Sequence, residues 1–211
     1  MSLARPLSQG LAELELKLTP AASENLLAYL DLIQKWNRVY NLTAVREPAR
    51  MLPQHLFDSL AIVPRLSGSS LLDVGSGAGL PGIPVAIARP RLPVTLLESN
   101  HKKAAFLRQA AIELRLDNVA VACERAEAWG TSHRFDLVVS RALADLPEFI
   151  RLAGRFVAPG GALAAMKGVY PYDELAQLPP GWGVTEAVAL KVPGLNAERH
   201  WLRLEPAAGH P

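Results

Sequence analysis

One cysteine, Cys123, is the whole thiol complement of the 211 residues. That excludes an internal disulfide and any cysteine-ligated metal cluster. An excess of either charge is also missing. The formal net charge is +2, so bulk electrostatics does not announce a nucleic-acid binder. No apolar run approaches the length of a bilayer span, and no secretory signal is read at the start of the chain. These absences predict a cytoplasmic protein with no membrane partner and no metal, where the sequon Asn41-Leu42-Thr43 has no meaning. No internal repeat or low-complexity tract occurs. Half of the residues are hydrophobic, which suits one globular domain with an appendage.

Glycine is absent between Leu11 and Arg65, and this part of the chain reads as helical. Leu11, Leu14 and Leu18 predict a loosely attached first helix. Thr19-Pro20 is a helix start, an N-cap followed by proline in the first turn. Leu26, Leu30, Ile33, Trp36 and Tyr40 then recur at steps of three and four, the buried stripe of an amphipathic helix. A further helix is predicted from about Ala49 to Val63, stopped by Pro64. Such a leader acts either as a lid or substrate contact, or as plain packing.

Beyond Ser69 the texture of the chain changes. Leu71-Leu72-Asp73-Val74-Gly75-Ser76-Gly77-Ala78-Gly79-Leu80-Pro81-Gly82 is an apolar run that meets an acid, turns through alternating glycines and enters a helix. Glycine permits positive φ and lets a ligand approach backbone N–H groups. From Gly77 the loop is Gly-x-Gly-x-x-Gly, the dinucleotide fingerprint. From Asp73 it is acid-x-Gly-x-Gly-x-Gly, which resembles the S-adenosylmethionine loop of class I methyltransferases. Asp73 favours the second reading. A carboxylate there repels a pyrophosphate but favours an ammonium and a sulfonium. Glu98, closing the next apolar run, is placed to accept hydrogen bonds from ribose hydroxyls, a role that serves either cofactor.

From Ser69 onward, strand-like runs alternate with helical segments, the pattern of an α/β fold with helices on both faces of a parallel sheet. The strands are predicted at Leu71–Val74, Val94–Glu98, Val119–Ala122, Leu137–Ser140 and Ala162–Met166, with Pro159-Gly160-Gly161 turning sharply into the last. A helix runs from about Lys102 to Leu116. Val184–Val192 and Trp201–Leu204, joined through Pro193-Gly194-Leu195-Asn196, predict a closing antiparallel hairpin. The expected architecture is a Rossmann-like seven-stranded class I methyltransferase sheet over residues 67–206, with a helical extension at 1–66 and a tail at 207–211. Ligands sit at the carboxyl ends of such strands. There lie Asp73, Gly75, Ser76, Gly77, Gly79, Glu98, Glu124–Glu127, Ser140–Leu143, Lys167 and Gly168.

With those residues in view, the chain resembles the small-subunit ribosomal RNA guanine-N7 methyltransferase G family. The resemblance rests on Lys35-Trp36-Asn37, Tyr40–Arg46, His55-x-x-Asp58-Ser59, Asp73–Pro84, Lys103-x-x-Phe106-Leu107, Ser140-Arg141-Ala142, Lys167-Gly168 and Pro193-Gly194-Leu195-x-x-Glu198-Arg199-His200. It implies S-adenosylmethionine as methyl donor. The implied acceptor is a guanine N7 in the decoding-region loop of 16S ribosomal RNA, free or in the small subunit, with the enzyme a monomer. By matching positions it implies that Gly75, Leu80, Ala126, Glu127 and Arg141 contact the cofactor. Residue choice departs mildly from relatives at Ala126 and Glu98.

The chemistry of the residues is consistent with that acceptor. After the fourth strand the chain reads Ser140-Arg141-Ala142-Leu143, without the acid or amide followed by prolines that suits exocyclic amine methylation. Cytosine-C5 transfer needs a cysteine nucleophile, and Cys123 is placed within the third strand as a small core residue. Guanine N7 already carries an in-plane lone pair and needs no catalytic base. Arg141 either touches the cofactor, a guanine edge or a phosphate, or pairs with a carboxylate such as Asp145. His55 and Asp58, three apart, either line the acceptor pocket or form a structural pair. Asn41 and Thr43 either cap a turn or contact the base. Lys167, Arg199 and His200, with Arg46 and Arg50, complete the expected substrate side, and part of the Lys102, Lys103, Arg108 and Arg115 face extends it. The competing readings are a small-molecule methyltransferase, a nicotinamide-dependent oxidoreductase and a non-catalytic RNA-binding module.

Overall fold

The computed structural model describes residues 3–141 and 144–207. Ala142 and Leu143, expected at the site, and most of the expected tail lie outside the described residues. The leader opens with helix α1 (Ala4–Glu13) and the long α2 (Pro20–Tyr40). The Thr19 hydroxyl accepts from the Ala22 N–H at 3.1 Å, the cap its sequence announced. Leu26, Leu30 and Ile33 are buried as the stripe requires, whereas Trp36 is half-buried and Tyr40 exposed. The first helix is docked, not loose. A Cβ on Gly10 would overlap the Phe57 ring, and only glycine allows that approach.

The predicted helix from Ala49 to Val63 is present as one helical run from 48 to 60, with a wide turn inside it. α3 (Pro48–Met51) passes into a wide π-helical turn at Leu52–Phe57, then a short α4 (Asp58–Leu60) and a tight turn at Val63–Arg65. Pro53 lacks the N–H that a regular helical turn would use there, whereas Pro48 sits at the first helical position, where no donor is needed, and Pro64 lies beyond the helix end.

Seven strands form one sheet in the order β3-β2-β1-β4-β5-β7-β6. They are β1 (Leu71–Val74), β2 (Val94–Leu97), β3 (Val119–Ala122), β4 (Phe135–Ser140), β5 (Val157–Lys167), β6 (Trp182–Ala189) and β7 (His200–Pro206). The first five pair in parallel; β7 enters antiparallel to both β5 and β6. The expected hairpin is present, although β6 starts at Trp182 and ends three residues before the predicted Val192 limit. β5 begins earlier than expected, with Pro159-Gly160-Gly161 inside it. The β4–β5 register slips between Phe135 and Leu137, where a Gly161 Cβ would crowd the Asp136 carbonyl at 2.8 Å.

Helices α5 (Gly82–Ala88) and α6 (His101–Glu113) share one face of the sheet with the leader, and α7 (Leu146–Ala153) covers the other. α6 starts at its Asn100 cap and stops three residues short of the predicted end. Leu7, Leu26, Met51 and Leu56 belong to the same buried cluster as Leu71, Ile83 and Phe106. The leader is therefore part of the core that holds β1 in place. The short α8 (Tyr172–Leu175) follows β5 at the carboxyl end of the sheet.

Candidate functional site

The glycine loop leaves the end of β1 with Gly75, Gly77 and Gly79 at φ values of +71°, +58° and +88°, a region that other residues enter at a cost. At Gly79 space is also limiting: a Cβ would meet Ile83 at 2.5 Å, Leu107 at 2.9 Å and the Tyr29 hydroxyl at 3.1 Å. Two carboxylates fix the loop from beneath. Asp73 is fully buried, and its Oδ2 accepts the Gly82 N–H at 2.9 Å. Glu98, just past β2, accepts the Gly77 N–H through Oε2 and the Asn100 N–H through Oε1, each at 2.8 Å. Tyr29 reaches over from α2 and donates its hydroxyl to the Ala78 carbonyl. Burial holds that phenol well above its ordinary pKa, so it remains a donor.

Burial raises Asp73 as well, to about 7, opposed by the Gly82 N–H and by the Arg141 charge. Its Oδ1 has no hydrogen-bond partner among the described residues. A buried carboxylate oxygen without a donor, beside a loop of open glycines, fits a ligand that brings a positive charge. Ala126 and Glu127 face Gly75 across a pocket of about 160 Å³, with Val74, Leu97 and Ser99 on its walls. Arg155 ties down that segment from behind by donating to the Ala126 and Trp129 carbonyls. Leu80 is buried, and the Ser76 hydroxyl donates to the Asp73 carbonyl. Asp73, Gly75, Ser76, Gly77, Gly79, Leu80, Glu98, Ala126 and Glu127 thus gather around the ends of β1, β2 and β3.

Arg141, expected with both the cofactor and the substrate sets, lines a second site. Its ion-pair partner is Asp58 and not Asp145: its Nη1 donates to Asp58 Oδ2 and to the Gln54 carbonyl, both at 3.1 Å. Arg199 Nε donates to the other Asp58 oxygen at 2.7 Å. Asp58 is buried, so one carboxylate carries two guanidinium groups, each with N–H donors left over. The three residues line a cleft of about 380 Å³ with Gln54, His55, Met166, Lys167 and Gly168. Lys167 Nζ is held by Glu174 at 2.7 Å and donates to the Ala144 carbonyl at 2.9 Å.

His55 lies 3.0 Å through Nε2 from the Thr43 hydroxyl, and burial lowers its pKa, leaving a neutral ring. Thr43 also caps its own turn by accepting from the Val45 N–H, and Asn37 grips it through two hydrogen bonds. Asn41 is not brought to the cleft. It ends α2 in the left-handed region, exposed, within 3.4 Å of Arg46. His200 stands at the cleft mouth, its Nδ1 2.6 Å from the Gly168 carbonyl.

Cys123 departs from its expected place. It follows β3 instead of lying in it, half-buried, with Sγ 3.2 Å from His101 Nδ1. The strand residues before it are themselves half-buried or exposed, because β3 is an edge of the sheet. Tyr29, Gln54 and Met166 carry no mark of a site in the sequence, because aromatic, amide and apolar side chains are common on any helix or strand.

A glycine loop with buried acids below it and a polar cleft at its side, on a 3-2-1-4-5-7-6 sheet, defines a class I S-adenosylmethionine-dependent methyltransferase. Solved methyltransferases share the fold. TrmN from Thermus thermophilus superposes with a TM-score of 0.56 at 21% identity, covering 81% of this chain and 53% of that one. The glycopeptide N-methyltransferase MtfA gives 0.61 at 14% identity, covering 76% of this chain and all of that one. The model of the family rRNA small subunit methyltransferase G matches residues 22–202, and the chain belongs to that family. The Ribosomal RNA small subunit methyltransferase G of Laribacter hongkongensis is 54% identical over 204 residues, 97% of this chain and 99% of the relative. That of Nitrosospira multiformis is 55% identical over 98% of this chain and 99% of the relative. The enzyme's methyl donor is S-adenosylmethionine, and the residues at the glycine loop suit its charge and its ribose. Among the described residues no group of acids, histidines and cysteines could hold a metal ion, and no helix is long and apolar enough to cross a membrane.

Proposed function

We propose that this chain transfers a methyl group to N7 of a guanine in 16S ribosomal RNA, in the decoding-region loop, working as a monomer in the cytoplasm. The observation that carries the reading is the Asp58 carboxylate with Arg141 and Arg199 upon it, in a cleft next to the glycine loop. Guanine N7 attacks with its own lone pair, so the protein has no proton to remove from it. The cleft matches that need. No cysteine lines it, and its histidine is neutral and engaged with Thr43.

Bound at the loop, S-adenosylmethionine supplies an electrophilic methyl carbon on sulfur. Asp73 and Glu98 would hold it, the first by favouring its positive charge and the second by accepting from its ribose hydroxyls. Arg141 and Arg199, aligned by Asp58, offer donors to guanine O6 and to a neighbouring phosphate. Transfer is then a matter of alignment, which supplies on the order of 7–11 kcal/mol in well-oriented systems.

Asp58→Asn tests the division of labour between the two sites. It leaves the glycine loop untouched, so S-adenosylmethionine affinity by calorimetry stays within about twofold of wild type. Methyl transfer to small ribosomal subunits falls by about 100-fold or more, as both arginines lose their anchor. Equal losses in both measurements would contradict the assignment.

A further inference from the structure

Beyond the acceptor cleft the chain leaves β5 through Gly168, Val169, Tyr170 and Pro171 and enters α8 at Tyr172. Val169 is 76% exposed and Tyr172 75%, among the most exposed large apolar side chains of the described residues. The Tyr172 ring lies 4.6 Å from that of Tyr170, and Tyr170 meets His200 edge to face at 5.4 Å. His200 in turn is tied to the Gly168 carbonyl, and Gly168 and Arg199 are cleft walls. Three rings therefore run in a row from the cleft into solvent. The row is firmly mounted: Pro171 is buried, and Glu174 on α8 holds both Lys167 and the Leu146 N–H, at 2.7 and 2.8 Å.

Exposed aromatic surface adds nothing to the core, and its position beside Arg141, Arg199 and Lys167 matches a partner that is both anionic and flat. A folded protein partner would need a wider apolar patch than these side chains provide. An unpaired nucleobase on a phosphate backbone needs one ring face with cations alongside.

We propose that Tyr172, backed by Tyr170, stacks an unpaired nucleobase adjacent to the acceptor guanine and so holds the RNA strand open at the cleft. The proposal rests on the reading of an RNA guanine as acceptor. It is tested by the kinetics of methyl transfer to small ribosomal subunits that lack the modification. Tyr172→Ala raises KM for the subunit about tenfold, the loss typical of one stacked base, while S-adenosylmethionine affinity matches wild type. Tyr172→Trp restores the wild-type KM, and Tyr172→Leu, apolar but not flat, does not. An alanine variant with wild-type KM, a loss confined to kcat, or rescue by leucine equal to that by tryptophan would each overturn stacking and leave the acceptor assignment standing. Subunits that even the wild-type enzyme leaves unmethylated would overturn the acceptor assignment, and the stacking proposal with it.

Discussion

Asp73 carries the sharpest consequence at the scale of a residue. Its carboxyl titrates near 7 instead of 3.8 because it is buried. Between those values the folded protein holds a proton that the unfolded chain has released, so this group's contribution to stability declines as pH rises from about 4 to about 7, then levels off. Asp73→Asn removes the decline and retains an acceptor for the Gly82 N–H. Melting temperatures across this window should therefore show the variant gaining on wild type as pH rises. Cofactor binding runs the other way, because a positive charge favours the ionised carboxylate. Wild-type affinity for S-adenosylmethionine falls as pH drops below about 7, and the Asn variant binds more weakly with a flatter profile. Parallel profiles for the two proteins would contradict the role given to Asp73. The acid is visible in the sequence by its place before the glycines. Its burial and its bond to Gly82 are not, since they depend on how α5 returns against β1.

Among the elements, α2 does more than pack. It fastens the glycine loop through Tyr29, caps the end of α6 through Asn25 and the Leu114 carbonyl, and sets Thr43 through Asn37. Tyr29→Phe removes one hydroxyl from a buried carbonyl, a loss of about 1–3 kcal/mol in stability. Because that carbonyl belongs to the cofactor loop, affinity for S-adenosylmethionine should weaken severalfold. Calorimetry and thermal melting on the same preparation measure the two effects, and an unchanged affinity would make the contact a packing detail. The helix itself is legible from its Thr-Pro start and apolar stripe. The stretch after it reads as one regular helix and carries a π-helical turn in its middle. Apolar spacing does not show that turn, whereas Pro53 removes a backbone donor within it. The resulting wide turn places Gln54, His55 and Asp58 together on the cleft.

For the whole molecule, alternation of apolar runs with helical segments is enough to predict a parallel sheet closed by a hairpin, and the glycine loop locates its ligand end. The pairing of Asp58 with Arg141 and Arg199 is beyond reach, because these residues are 83 and 141 positions apart in the chain. Sequence proximity offers Arg141 the nearby Asp145 as its carboxylate instead. Long-range ion pairs follow from topology, and only the folded sheet brings the ends of β4 and β7 to the leader.

The central claim is a methyl transfer to guanine N7 in ribosomal RNA, and its most direct test traces label from S-adenosylmethionine into small ribosomal subunits lacking that mark. Free ribosomal RNA and transfer RNA run beside them, with chemical cleavage at N7-methylguanine to locate the product. One labelled guanine in the small-subunit RNA, cleaved at that position, is the predicted result. Cofactor binding without label in any RNA would contradict the account and leave a methyltransferase with another acceptor.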